Sequence, residues 1–285
     1  MENKLTFYFQ PSFSGWMPTS IFQGLYDYYE SIYGNRVQSD NNSIQYNHNA
    51  GCKTGPHHLI IENPNTKKYI VVSYWDMVYE LLNDHNGWDN KNCLGIYSSV
   101  NSKIFDQITP SSYCCYNIAI EREIDLTDKQ ILNKPNNELL FRGYLHGHRF
   151  FLKNLSFMTD KRIPFNEYVQ EIYSHKIGLS LNGAAEICNR DMEILGVGSV
   201  LLRPKLEQTE FHNDLIPDTH YVSFDLVEDS KLQEEIILEK YNQILKDKEY
   251  MLYIAKNGLD WYNKNGSRAA NIEILTKIIK IKELL

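Results

Sequence analysis

No stretch of the 285-residue chain stays apolar over the roughly 20 residues that span a bilayer. Its start, MENKLTFYFQPSFSG, lacks the apolar core and small-residue cleavage site of a secretory signal. A soluble, cytoplasmic protein without a transmembrane segment is therefore expected. Positive charge is scarce as well: the formal net charge is −7, which argues against nucleic acid as a partner, because neutralising phosphates needs a basic surface. An anionic ligand would have to meet a few placed cations. The five cysteines (Cys52, Cys93, Cys114, Cys115, Cys188) are odd in number and irregularly spaced, so reduced thiols are expected rather than a disulfide framework. Without a secretory signal, the sequons at Asn41, Asn154 and Asn265 carry no weight.

Metal and dinucleotide signatures are missing too. His146 and His148 flank Gly147 with no third ligand spaced to join them, and His48, Cys52, His57 and His58 form a zinc pattern without a second cysteine pair. No metal site is expected. In a G-x-G-x-x-G fingerprint the glycines follow a strand and open a helix. Here GVGS, from Gly196 to Ser199, follows a predicted helix and precedes a predicted strand, so it reads as a helix C-cap and tight turn. A nucleotide-dependent oxidoreductase thereby loses its main support.

What is present is an alternation of short β-branched or aromatic runs with helical stretches, which predicts an α/β fold with largely parallel sheets. Strand Leu5 to Phe9 leads to a helix from Thr19 to Tyr33 that stops at Gly34. The polar residues Asn35 to Pro56 read as a loop, followed by strands His58 to Glu62 and Tyr69 to Tyr74, a helix Met77 to Asn83, and strands at Cys93 to Tyr97 and within Ile104 to Tyr116. DLTDKQILNKPNNE reads as a polar linker, which places a domain boundary near residue 137.

Beyond it come strand Leu139 to Arg142, a turn at Gly143, and a helix from about Gly147. Helix Asn166 to Ser174, strand Ile177 to Leu181, helix Ala185 to Leu195, strand Ser199 to Leu202 and strand HYVSFD follow. Helices over Lys231 to Leu245, Lys248 to Tyr262 and Ala269 to Leu285 close the chain. This is the order of a doubly wound nucleotide-binding domain, whose ligands sit beyond the carboxyl ends of its strands.

The strand-to-helix position in SLNGAAEICNRDMEILGVGSVLL is held by Asn182 and Gly183. Glycine permits positive φ and close approach to a ligand, and a helix N-terminus offers N–H groups to an anion. Arg190 lies two turns into the predicted helix with Glu193 three residues on. One reading gives the guanidinium a diphosphate and the carboxylate two ribose hydroxyls; the other makes them an i,i+3 surface ion pair. Cys188, in the same helix, reads as packing. Of the four tryptophans, Trp16 is the candidate for stacking on a sugar, and Trp75, Trp88 and Trp261 read as core or cleft wall.

The series FRG…HGHR, YVQEIYSHKIGLSLNG, NRDMEILGVGSVLL, HYVSFD and YNQILKDKEYMLYIAKNGLDWYNKNGS resembles the donor-binding half of GT-B glycosyltransferases. It is most similar to the exostosin type and the protein O-glucosyltransferase or capsule-associated type, over roughly residues 138 to 266. The resemblance implies two Rossmann-like domains facing across a cleft: an acceptor domain over 1–137, a nucleotide-sugar domain over 138–266, and a C-terminal helix, 267–285, that packs back on the first.

It also implies Arg190 on the diphosphate, Glu193 near the ribose, Arg142 and Gly143 lining the cleft, and Arg149 as a second phosphate cation. No cofactor beyond the nucleotide-diphosphate sugar is implied, and the lack of a D-x-D triplet matches the metal-independent class. The partners implied are a nucleotide sugar and a glycan or glycoprotein acceptor. Inverting transfer needs a base near the acceptor hydroxyl. Asp76, just past the strand in YIVVSYWD, is the first candidate, with N-capping of the following helix as its alternative role. Asp40, His57 and His58 come next, and retaining transfer would need no such base. A non-catalytic carbohydrate-binding protein that keeps the fold is the competing reading.

Overall fold

The computed structural model describes residues 4–9, 17–40, 58–74, 92–98, 108–111, 125–143, 149, 155, 157–183 and 185–285. The chain divides into two compact units. The first comprises Met1–Ile118, Gln208–Asn213 and Arg268–Leu285; the second comprises Ala119–Glu207 and Asp214–Ser267.

In the first unit, β1 (Leu5–Tyr8), β2 (Val37–Asp40), β3 (His58–Asn63), β4 (Lys68–Ser73), β5 (Cys93–Ser98) and β6 (Ile108–Pro110) form one sheet in the order β2-β1-β3-β4-β5-β6. β3 runs antiparallel to both neighbours, and the other three pairings are parallel. The run LTFY is buried at every position, Thr6 included, as in a strand covered on both faces. α1 (Met17–Tyr33) ends where Gly34 takes φ +55°, a backbone that glycine adopts without a Cβ clash. The segment read as a loop after Gly34 contains β2, which pairs in parallel with β1 through Val37 to Asp40. Only Val37 of that strand is buried, so its sequence carried little strand signal.

The last helix, α7 (Arg268–Ile278), is shorter than expected. Beyond it Ile279, Ile281 and Leu284 still bury their side chains in this unit's core, where the chain gives up α-helical geometry for a short 3-10 turn at Ile281–Glu283. The hairpin between β3 and β4 is held by Asn63. Its Oδ1 accepts from Asn65 N at 3.0 Å, and its Nδ2 donates to the Leu284 carbonyl at 2.6 Å.

The second unit opens differently from the sequence reading. The supposed linker contains α2 (Asp128–Leu132), closed by a capping box in which Thr127 and Gln130 satisfy each other's backbone N–H groups. Ile131 plugs into the core and Lys134 is buried, so this segment packs as part of the unit. β7 (Asn136–Arg142), β8 (Met158–Thr159), α3 (Phe165–Ser174), β9 (His175–Leu179), α4 (Asn189–Gly196), β10 (Val200–Pro204), β11 (Val222–Phe224), α5 (Ser230–Lys246) and α6 (Lys248–Trp261) follow. All four strand pairings are parallel, in the order β11-β10-β9-β7-β8.

Counted along the unit, that order is 2-1-3-4-5, so consecutive connections leave β7 and β9 toward opposite edges of the sheet. A crevice forms beyond the carboxyl ends of two such strands, and ligands of doubly wound sheets collect there. Both units are thus α/β layers on mostly parallel sheets. Among the described residues, no helix is long and apolar enough to cross a membrane.

Candidate functional site

β7 delivers Phe141, Arg142 and Gly143 to the switch point. Arg142 is clamped rather than free: Nε and Nη2 donate to the two carboxylate oxygens of Glu171 on α3, and Nη1 donates to the Lys161 carbonyl. Its charge is thereby neutralised within the protein.

The loop after β9 departs from the sequence reading. α4 starts at Asn189, four residues later than Ala185, because Cys188 is extended and its N–H donates to Asp191 Oδ2 at 2.7 Å. Cys188 is therefore the N-cap residue rather than part of the helix. Gly183 does not take positive φ; among the described glycines Gly34 and Gly198 do, and Gly198 (+63°) forms the turn expected of GVGS. Asn182 and Gly183 stand behind the cavity, where they hold a cation. Arg149 Nε donates to the Asn182 carbonyl at 3.0 Å, and its Nη2 donates to the Leu181 carbonyl at 2.7 Å. A Cβ on Gly183 would come within 3.0 Å of Arg149 Nη2, so the small residue gives the guanidinium room.

Arg203, at the end of β10, was missed by sequence reasoning and pins this loop from below. It is 1% exposed and pairs with Asp191 Oδ1 at 2.8 Å, while donating to Asn182 Oδ1 at 3.2 Å and the Glu186 carbonyl at 2.9 Å. One buried cation thus ties the loop to the first turn of α4. The signal for it was a lone arginine in an apolar strand, VLLRP, where an unpaired charge would be too costly to bury.

Arg190 lies across the end of β7. Nε donates to the Arg142 carbonyl at 2.9 Å, and the guanidinium sits 4.4 Å from the centre of the Phe141 ring, within cation–π range. Gly143 makes this possible, since a Cβ there would fall 1.9 Å from Arg190 Nη2. Arg190 Nη1 is buried and has no hydrogen-bond partner among the described residues. Glu193, one turn on, is also buried, and its Oε2 accepts from Tyr168 Oη of α3 at 2.6 Å. Neither residue is a solvated surface charge.

These groups line a cavity of about 430 Å³ bounded by Arg142, Gly143, Arg149, Tyr168, Cys188, Arg190 and Glu193, with Asp160, Lys161 and Arg162 from the loop after β8. Burial works against the charge on Arg190. The surrounding Cys188, Tyr168, Glu193 and Asp191 side chains nevertheless raise its pKa above the ordinary arginine value. Burial pulls Arg149 downward. Burial also pushes the Cys188 thiol up to about 11, so it is neutral near pH 7 and poorly suited as a nucleophile. The arrangement can bind an anion and a hydroxyl-bearing group side by side.

Of the residues named from sequence, Arg142, Gly143, Arg149, Arg190 and Glu193 come together here, with Asn182 and Gly183 supporting Arg149. Asp76, His48, Cys52, His57, His146, His148, Trp16, Trp75 and Trp88 lie outside the described residues. Asp40 ends β2 beside Tyr8, His58 is buried at the start of β3, and Trp261 is core.

No protein-family model and no curated protein matches the chain. Among solved structures it is similar to an alpha-glucosyltransferase in complex with UDP and a 13-mer DNA containing a central A:G mismatch. That likeness has 10% identity and a TM-score of 0.49, covering 95% of this chain and 98% of that one. It is also similar to WaaG, a glycosyltransferase involved in lipopolysaccharide biosynthesis, with 8% identity and a TM-score of 0.48 over 96% of this chain and 99% of that one.

Proposed function

We propose that the chain is a glycosyltransferase of GT-B architecture that binds a nucleoside diphosphate sugar in the second unit's cavity. The sugar passes to a hydroxyl of a glycan or glycoprotein acceptor, without a metal. The observation that carries this reading is the buried, unmet Nη1 donor of Arg190, because leaving such a donor unsatisfied is costly unless an anion completes it. The charge of the lining fits. With Arg142 neutralised by Glu171, the cations Arg149, Lys161, Arg162 and Arg190 exceed the carboxylates Asp160 and Glu193 by two among the described residues. A diphosphate esterified at both ends carries two negative charges.

In this mechanism Arg190 and Arg149 bind the diphosphate and stabilise the charge it gains as the glycosidic bond breaks. The positive end of α4 adds to their field. Glu193 accepts from ribose hydroxyls and orients the nucleoside. The first unit carries the acceptor, and Asp76 takes the proton of the attacking hydroxyl if the anomeric configuration inverts.

A thermal-shift screen with nucleoside diphosphates and their sugars, followed by NMR of the product anomer, tests the reading. It expects stabilisation by a nucleoside diphosphate, loss of that shift in Arg190→Ala, and sugar transfer to a glycan. Binding without transfer would leave a carbohydrate-binding protein. No stabilisation by any nucleotide would remove the proposal.

A further inference from the structure

Phe141, next to last in β7, is fully buried, and the two arginines assigned to the diphosphate both lie over its ring. The Arg190 guanidinium is 4.4 Å and the Arg149 guanidinium 5.8 Å from the ring centre, both within cation–π range. Each is seated in the same way. Its Nε donates to a backbone carbonyl at or just beyond the end of a strand, Arg142 for Arg190 and Asn182 for Arg149. Its tip takes the room that a glycine leaves, Gly143 for Arg190 and Gly183 for Arg149. Two like charges gathered around one ring oppose each other: burial lowers the pKa of Arg149 most, and the charge of Arg190 lowers it further. An aromatic ring is negative on its face, so Phe141 offsets part of that repulsion where an aliphatic side chain would not.

We propose that Phe141 is a positioning residue that gathers Arg149 and Arg190 into one paired site, so that the cavity distinguishes two linked phosphates from one. The inference rests on the nucleoside diphosphate reading above. A single phosphate meets one guanidinium and leaves the other facing a like charge, whereas a diphosphate bridges both and cancels the repulsion between them. The preference for the second phosphate therefore depends on the spacing that the ring sets. Without the negative face of the ring the two guanidiniums move apart, and the second phosphate loses its partner. The ring acts only through the two arginines it carries.

Calorimetric titration of the full chain with UDP against UMP, GDP against GMP and ADP against AMP tests this, with stability followed by thermal unfolding. Wild type is expected to prefer the diphosphate of the pair it binds by about 10-fold or more, the equivalent of one charge-assisted hydrogen bond. Phe141→Leu is expected to reduce that ratio to about threefold or less while binding the monophosphate about as tightly as wild type. A trifluorinated phenylalanine introduced in place of Phe141 by codon suppression nearly keeps the shape of the side chain and removes the negative face of its ring. It narrows the ratio as well, and it serves as the second arm where the leucine variant fails to fold. A residue that only fills the core would move the thermal midpoint and leave the ratio alone. An unchanged ratio in either folded variant, or a wild type that binds di- and monophosphates equally, overturns the role of Phe141 and leaves nucleotide binding intact. A wild type that binds none of these nucleotides overturns both the inference and the reading beneath it.

Discussion

Gly143→Ala probes the site without touching any charged group. The added Cβ would fall 1.9 Å from Arg190 Nη2 and 2.9 Å from its Cζ, so the guanidinium must leave its seat. Leaving costs its stacking on Phe141, about 0.5–2 kcal/mol, and its bond to the Arg142 carbonyl, about 1.5–3 kcal/mol for a charged donor. Solvation of the displaced guanidinium returns part of this, so the expected loss of stability is about 1–3 kcal/mol. Backbone strain adds nothing, because Gly143 is not at positive φ. Affinity for a nucleoside diphosphate should fall roughly 10- to 100-fold, matching the loss of a charge-assisted bond to phosphate. Titration calorimetry on wild type, Gly143→Ala, Arg190→Ala and the double variant reads this out. Since both changes remove the same contact, the double variant should bind no more weakly than Arg190→Ala, within about 0.5 kcal/mol. Wild-type affinity in Gly143→Ala, or simple additivity of the two losses, would refute the reasoning.

The supports behind the cavity make separate predictions. Arg203 and Asp191 are both 1% exposed, so Arg203→Met strands a buried carboxylate and should cost about 3–5 kcal/mol in urea denaturation. Arg203→Lys should recover only part, since one ammonium cannot span Asp191, Asn182 and Glu186. A loss below about 1 kcal/mol would contradict the staple. Burial pulls Lys134, which donates to the Tyr173 and Val197 carbonyls, from 10.5 down to about 7. Between those values the unfolded chain binds more protons than the folded one, so this lysine makes stability rise with pH from about 7 to 10.5. Denaturation midpoints should climb more steeply over that window in wild type than in Lys134→Met, and parallel slopes would show that Lys134 keeps its proton.

The long helices of the second unit were legible because each spans enough residues to show a period. Ser230–Lys246 and Lys248–Trp261 lie within a residue of their expected bounds. β8, two residues long, is too short to show one, and it forms only because β7 offers an open edge. The start of α4 was misplaced because Ala185, Glu186 and Ile187 are residues that helices accept and so read as helix, whereas their burial accompanies bends. The Asp191 bond that sets the true start is a capping contact three residues long. Arg190 and Glu193 stood out by their place in the stretch after the strand, and the resemblance added Arg149. Their partners Phe141, Tyr168 and the Leu181 carbonyl did not stand out, because those contacts cross between strands, helices and loops distant in sequence. Arg142 shows the same limit: the residue lines the cavity, yet Glu171 on a neighbouring helix neutralises its charge.

The central claim is that Arg190 is a built anion donor for a nucleoside diphosphate. Calorimetric titration of UDP, GDP and ADP into wild type and Arg190→Ala measures it directly. The account predicts saturable binding of at least one of them to wild type and a loss of about 10-fold or more in the variant. Equal affinity in the two proteins, or no binding to wild type, would contradict it.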